Sequence, residues 1–281
     1  MDGLADEAAR RLRSNPAAVA AVAVLCAIVV LTWLGPWISP NNSQTLDWLH
    51  IAARPGMQSS HWFGTDRLGR DLFMRTLAGT RVSIAIGLAA SVISLLVGVS
   101  YGAIAGYIGG RTDHLMMRLI EILSGLPLIF FVIFLTVIFG RSEYLLFFAI
   151  GAVGWLTMAR IVRGQTLSVR QREFIEAAIA SGAGTGRIIL RHVVPNVIGP
   201  VIVYATLTVP QIILFESFLS FLGLGIQEPG ASLGTLIAEG AGEMEAAPWM
   251  LLVPGSFLAV LLLCLNIFGD GLRDALDVKD A

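Results

Sequence analysis

The chain has 281 residues, 56% hydrophobic and 14% charged, with a formal net charge of −1. Against about 25% charge in ordinary soluble domains, so few charges cannot cover a soluble surface, and a mean hydropathy of +0.77 points to a polytopic membrane protein. Eighteen of the 19 basic residues are Arg and the only Lys is Lys279, which excludes a phosphate-binding P-loop and a buried Schiff-base lysine, so the chain does not hydrolyse ATP by itself.

In chain order, the N-terminal segment 1–16 carries Arg10, Arg11 and Arg13 ahead of a first apolar run at 17–38. That run is too long for a signal-peptide core, and Trp33 and Trp37 anchor its far end as an interfacial belt would. A polar segment, 39–81, follows. The second run, 82–108, places Gly98, Gly102, Gly106 and Gly110 at intervals of four. On a helix they form one side-chain-free stripe, suited either to dimerisation or to packing within one bundle. The third run, 114–139, contains Pro127, and the fifth, 197–221, contains Pro210; each proline removes a backbone hydrogen bond and is expected to kink its helix. The fourth run covers 145–164 and the sixth 249–269, with a tail at 270–281. A span needs about 20 mostly apolar residues, so the expected fold is all-α with six transmembrane helices.

With the N-terminus in the cytoplasm, thirteen basic residues fall inside and six outside. The six are Arg54, Arg67, Arg70, Arg75, Arg81 and Arg141. This split satisfies the positive-inside rule and puts both termini in the cytoplasm. No Lys or Arg occurs between Arg191 and Arg273, whereas the outer loop 222–248 carries Glu228, Glu239, Glu243 and Glu245.

Cys26 and Cys264 lie inside apolar runs and read as buried small hydrophobes. His50, His61, His114 and His192 follow no zinc-binding spacing, so no metal site is expected. No Ser/His or paired-Asp constellation lies at membrane depth, so no catalytic residue is assigned, and the dispersed arginines form no nucleic-acid-binding stripe.

The longest inner loop runs from 160 to 195. Arg172 to Ser181 reads as a short amphipathic helix with Ile175, Ala178, Ile179 and Gly182 on one face. Gly182 supplies its stop, and a second short helix is expected from Thr185 to His192. The small exposed residues Ala177, Ala178, Ala180 and Gly182 fit either a helix seated in another protein's cleft or one lying on the membrane surface. Glu216 is an ionisable residue within the fifth span and a functional candidate by position. At 1.5 Å per residue it lies about 28 Å along the helix, at the outer mouth, where an outer gate or simple snorkelling to water both fit. In the outer segment, Gly64, Thr65, Asp66, Gly69, Arg70 and Asp71 have the composition of a rigid turn pinned by Asp/Arg pairs. The turn either closes the outer rim or contacts a partner, and loop 222–248 competes for the docking role. Gly269 and Gly271 read as a stop after the sixth span.

Glu176-Ala177-Ala178, Gly182, and Arg187-Ile188-Ile189 leading to His192-Val193-Val194-Pro195 resemble the EAA loop of ABC-importer permeases. Three collinear stretches resemble the C-type permease subunit of dipeptide and oligopeptide importers: His61 to Asp71 with Gly79-Thr80-Arg81, Glu216 to Gly225, and Gly269 to Asp277. Gly184 stands where that family often has Ser, Gly186 is a further departure, and Ser232-Leu233-Gly234 stands where a Trp-containing version is common. The resemblance implies a type I ABC importer permease fold in a bacterial plasma membrane. It further implies a homologous B-type permease partner, two ATPase subunits that bind ATP and Mg, and an extracytoplasmic solute-binding protein. Glu176, Ala177, Ala178, Gly182 and Ile188 would then couple the chain to one ATPase. The implied cargo is a peptide, with nickel or another small solute as the alternative.

Overall fold

In the computed structural model the described residues are 2–39, 41–56, 61–140 and 143–276, and they form helices joined by loops. Arg141, Asp277 and Lys279 lie outside them.

The N-terminal segment folds as α1 (Asp2–Ser14), followed by α2 (Pro16–Ile38), the expected first span. Asn15 separates the two. Its side-chain oxygen accepts from the backbone N–H of Ala17 and Ala18 at 3.1 and 3.2 Å, and Pro16 occupies the first helical position, where a missing N–H goes unmissed.

Helix α3 (Leu72–Ile108) begins at Leu72 rather than 82, so the last part of the expected outer segment is helical. Asp71 caps it, accepting from the Met74 N–H at 2.8 Å. The charges that suggested a later start are absorbed inside the helix. Arg75 is ion-paired, and Arg81 lies over the Trp33 ring at 5.1 Å and donates to the Thr32 carbonyl. At 1.5 Å per residue, α3 runs about 55 Å, enough to cross a bilayer and project beyond it.

The third expected span is two helices, α4 (Gly110–Ser124) and α5 (Leu128–Phe139), bent by 80°. Pro127 breaks the span instead of kinking it, since it disfavours helical geometry at Leu126 as well as lacking a donor. Helix α6 (Glu143–Arg170) extends beyond 164 at its C-terminal end. Its uncharged stretch, Tyr144 to Ala159, is shorter than the about 20 residues of a typical span. The inner loop holds α7 (Glu173–Ala180) and α8 (Thr185–Ile188), then a π-helical turn, Ile189–Val193, then α9 (Val194–Phe221). The second short helix of the loop therefore does not stop at His192. It runs into the fifth span as one helix from Thr185 to Phe221. The expected loop 222–248 contains α10 (Leu233–Gly242), whose Ser232 and Thr235 form a reciprocal capping box. The last helix is α11 (Trp249–Leu276). Among the described residues four helices are long and apolar enough to cross a membrane, and the bent α4–α5 pair makes five; α6 occupies the position of the fourth expected span.

The glycine stripe packs within the chain. A Cβ on Gly98 would meet Met158 Cβ at 2.6 Å, one on Gly102 would meet Val162 Cβ at 2.8 Å, and one on Gly106 would meet Thr166 Cβ at 2.8 Å, all on α6. Gly110 is not part of the stripe, because α3 ends at Ile108 and nothing lies within 4 Å of a Cβ at Gly110. Gly269 and Gly271 do not stop the sixth span. They lie inside α11, where added Cβ atoms would meet Leu207 at 2.5 Å and Ala18 at 2.6 Å; the glycines let α9 and α2 approach.

Candidate functional site

The two ends of α3 carry different candidate surfaces. At its N-terminus, residues 41–56 and 61–71 form a cap held by a charged cluster. Asp66 is 1% exposed and uses both oxygens. One accepts from the Leu68 and Arg70 backbone N–H at 2.8 and 2.9 Å. The other accepts from Arg70 Nε at 2.6 Å and Arg75 Nη1 at 2.5 Å. Arg75 continues to Glu239 of α10 at 2.7 Å, and Arg70 to Glu228 at 3.1 Å. Burial pushes the Asp66 carboxyl up, but the Arg70 backbone N–H, the Arg75 charge and the Arg70 side chain outweigh it and hold the group below the usual carboxylate range. Glu228 is likewise low: burial raises it, and the hydrogen bond and charge of Arg70 bring it down further than burial lifts it.

Gly64 and Gly69 take φ of +80° and +76°, which only glycine adopts cheaply. A Cβ at Gly64 would strike the Ala53 carbonyl, and one at Gly69 the Asp47 carbonyl. Thr65 is fully buried, with its hydroxyl between the Ala53 N–H and the His50 carbonyl. Trp249 Nε1 donates to the Thr65 carbonyl at 3.4 Å. The expected turn is thus present and pinned by Asp/Arg pairs. Its partners Arg75, Glu228 and Glu239 were not singled out for it, because they lie up to 164 positions from their counter-ions. Two of the four acids of loop 222–248 are thereby committed to the cap; Glu243 and Glu245 are not among these partners.

Glu216 does not open to water. It is 0% exposed, accepting from Ser220 Oγ at 2.6 Å and Ser83 Oγ at 3.2 Å. Ser83 in turn accepts from the Leu233 N–H at 3.1 Å, and Ser220 lies 3.4 Å from Ser232 Oγ. The carboxylate is a knot between α3, α9 and the start of α10. The reason is α10 itself, which covers the position that its depth along the fifth span had made the outer mouth. At Gly234 a Cβ would meet Ser220 Cβ at 2.9 Å, so the Ser-Leu-Gly departure permits this close cover.

At the other end of α3, Tyr107 packs against a core that includes Ile175, Ile188, Ile189 and Val193. This core anchors the inner loop. Ile175 is 0% exposed and Ile188 1%, so Ile188 is an internal anchor and does not face a partner. Ile179, expected on the same face as Ile175, is 56% exposed, because the core side of α7 is taken by Ile175, with Phe174 and Ala178 partly buried beside it. Glu176, Ala177 and Ala180 are exposed. Glu176 sits in the first turn of α7, where the helix dipole favours an acid. Gly182 ends the helix at φ +76°. The Gly182 N–H reaches the Ile179 carbonyl at 2.9 Å and the Ala183 N–H the Ala178 carbonyl at 3.1 Å, a Schellman stop. Nothing lies within 4 Å of a Cβ at Gly182, Gly184 or Gly186. The loop therefore presents a rigidly seated helix with a small, acidic outer face. Nearby, Arg163 clasps Asp113 of α4 with two parallel hydrogen bonds, a pairing that sequence spacing did not expose.

Residues 98–279 match the family described as binding-protein-dependent transport system inner membrane component, and residues 3–55 match the N-terminal TM domain of oligopeptide transport permease C. The chain is 53% identical over 274 residues to the oligopeptide transport system permease protein OppC of Haemophilus influenzae, covering 98% of this chain and 88% of that one. The Escherichia coli K12 protein of the same name is also 53% identical, with 98% and 91% covered. The dipeptide transport system permease protein DppC of Bacillus subtilis is 44% identical, with 97% and 85% covered. A solved inward-facing structure of the MetNI methionine ABC transporter superposes with a TM-score of 0.56 at 18% identity, covering 72% of this chain and 96% of that chain. The shared fold is that of a type I ABC importer permease. On the match over 98–279 and the identity to these relatives, the chain belongs to the binding-protein-dependent transport system inner membrane component family, as a multi-pass inner-membrane permease.

Proposed function

We propose that the chain is the C-type permease subunit of an ATP-driven importer of peptides. Two relatives more than 50% identical over nearly the whole chain carry that substrate in their names, which supports the reading. The observation that carries the mechanism is the exposed Glu176/Ala177 face of α7 on an anchor of buried Ile175 and Ile188. A helix with small side chains seats deeply in a cleft, and a buried anchor passes its movement into the bundle.

In this mechanism the chain performs no covalent chemistry. Two ATPase subunits bind ATP and Mg, and their closure moves α7, which switches the pathway between inward- and outward-facing states. Glu176 accepts a charge-assisted hydrogen bond from one ATPase. A homologous B-type permease completes the pathway, and a solute-binding protein delivers the peptide at the cap. Both termini and the inner loop face the cytoplasm, as the distribution of arginine supports.

The test is ATP-dependent uptake of a labelled oligopeptide by proteoliposomes holding the assembled transporter. Uptake is expected with the native chain and is lowered at least about tenfold by Ala177→Trp while the subunits still co-purify. Normal uptake by that variant would remove the coupling role of α7. Uptake of nickel in place of peptide would replace the substrate class. Cysteine labelling of Ser181 from the cytoplasmic side only is the expected orientation result.

A further inference from the structure

We propose that Asp47, His50 and His61 form a binding site for a zinc-class divalent cation on the cap. One ligand atom from each lies within 4.8 Å of the others. Asp47 Oδ2 is 2.8 Å from His50 Nδ1 and 3.4 Å from His61 Nε2. Tetrahedral zinc with bonds of 2.0–2.1 Å sets its ligands about 3.3 Å apart, so these side chains need only small shifts to close on an ion. Two imidazole nitrogens and one carboxylate oxygen are the donor set of three-ligand zinc sites that keep a fourth position for water. His50, with a side chain 50% exposed, leaves that position toward solvent.

The groups around His61 suit a metal-bound histidine. His61 Nδ1 lies 2.8 Å from Asp71 Oδ2, and Asn41 Nδ2 lies 3.2 Å from the same nitrogen. Asn41 also donates to that Asp71 oxygen at 3.3 Å. The other ring nitrogen, Nε2, lies 3.4 Å from Asp47 Oδ2, and the tautomer with its proton on Nδ1, toward Asp71, is the one that would ligate an ion there. A carboxylate on the far nitrogen is also the usual support of a metal-bound histidine.

The ligands are held in place before any ion arrives. Asp47 Oδ1 accepts from the Leu49 N–H at 3.0 Å, the His50 N–H reaches the Asp47 carbonyl at 3.1 Å, and the His50 carbonyl receives the Thr65 hydroxyl. Asp47 is also wedged against Gly69. Because Asp71 caps α3, a bound ion would staple loop 41–56 to the start of the longest helix through His61.

The site is tested by titrating the purified full-length chain in detergent, stripped with EDTA, with zinc chloride against a chromogenic chelator. One zinc per chain is expected, with affinity reduced at least about tenfold in His50→Gln and in Asp47→Asn. Zinc should also raise the thermal midpoint of the native chain and leave that of His50→Gln unchanged. No zinc uptake overturns the proposal, as does uptake undiminished in both variants, which would place the ion elsewhere, such as at His114 or His192. If the variants do not fold, cobalt(II) added to the native chain decides: the intense visible bands of a tetrahedral site support the proposal, and their absence overturns it.

Discussion

The cap and the inner loop are both polar segments at the ends of the same long helix, yet they solve opposite problems. In the cap, Asp66, Arg70, Asp71 and Arg75 are 5% exposed or less, and each is bonded within the chain. In α7 and α8, only Ile175 and Ile188 are buried, while Glu176 and Arg187 face outward and the glycines at 182, 184 and 186 have open space around them. The cap is complete in one chain. The inner loop is an anchored surface, and among the described residues nothing lies within 4 Å of a Cβ at its three glycines, as the proposed coupling role needs.

The largest expected effect breaks the cap. Arg75→Met removes the cation shared by Asp66 and Glu239, leaving Asp66 to Arg70 and Glu239 to a 3.9 Å contact with Arg70, and losing one partner of a buried pair costs up to about 3–5 kcal/mol. Thermal unfolding of the purified chain should show it, and a loss below about 1 kcal/mol would mean that the cluster does not pin the cap. Ala177→Trp should separate the two regions. It is expected to lower uptake at least tenfold, about 1.4 kcal/mol in the coupled step, with stability unchanged within about 0.5 kcal/mol. Gly182 is a poorer probe, since any side chain there is strained by its positive φ whatever it meets.

A smaller effect comes from acid. Asp66 and Glu228 are held below their ordinary values, so in the folded cap they release protons more readily than in the unfolded chain. Their contribution is complete above the ordinary carboxylate range and is lost as pH falls through the lowered folded values. The protection of the Leu68 and Arg70 amides against exchange, corrected for the intrinsic rate, should therefore hold from neutrality to mild acid and fall only as pH drops through those lowered values. The smallest effect is expected at Glu216→Gln. The amide keeps the shape and an acceptor for the serines, so stability should change by less than about 1 kcal/mol and uptake should remain normal across pH; a pH-dependent loss of uptake would return Glu216 to a gating role.

The sequence was most informative where a pattern is local. The first span, the Gly98, Gly102 and Gly106 stripe, the Gly182 stop and the Asp/Arg turn each depend on residues within a few positions of one another. Long-range pairing was hidden. Arg75 read as a charge outside a span because its counter-ion Glu239 is far along the chain. The start of α3 moved for the same reason. Glu216 was placed by depth alone, and depth says nothing about a later helix, α10, folding over it. Asp47, His50 and His61 have no familiar metal spacing; the segment carrying Asp47 and His50 packs against the turn at Gly64 and Gly69, next to His61.

The π-helical turn at Ile189–Val193 joins α8 to α9 without interruption. Such a turn wraps one residue more than an α-helix would, and each residue advances a helix by about 100°. It therefore sets the rotational phase between the coupling loop and every side chain of the fifth span, Glu216 included. Deleting one residue there would leave both pieces helical and turn one against the other by about a quarter of a revolution, so that a push delivered at α7 would arrive on the wrong side of the bundle.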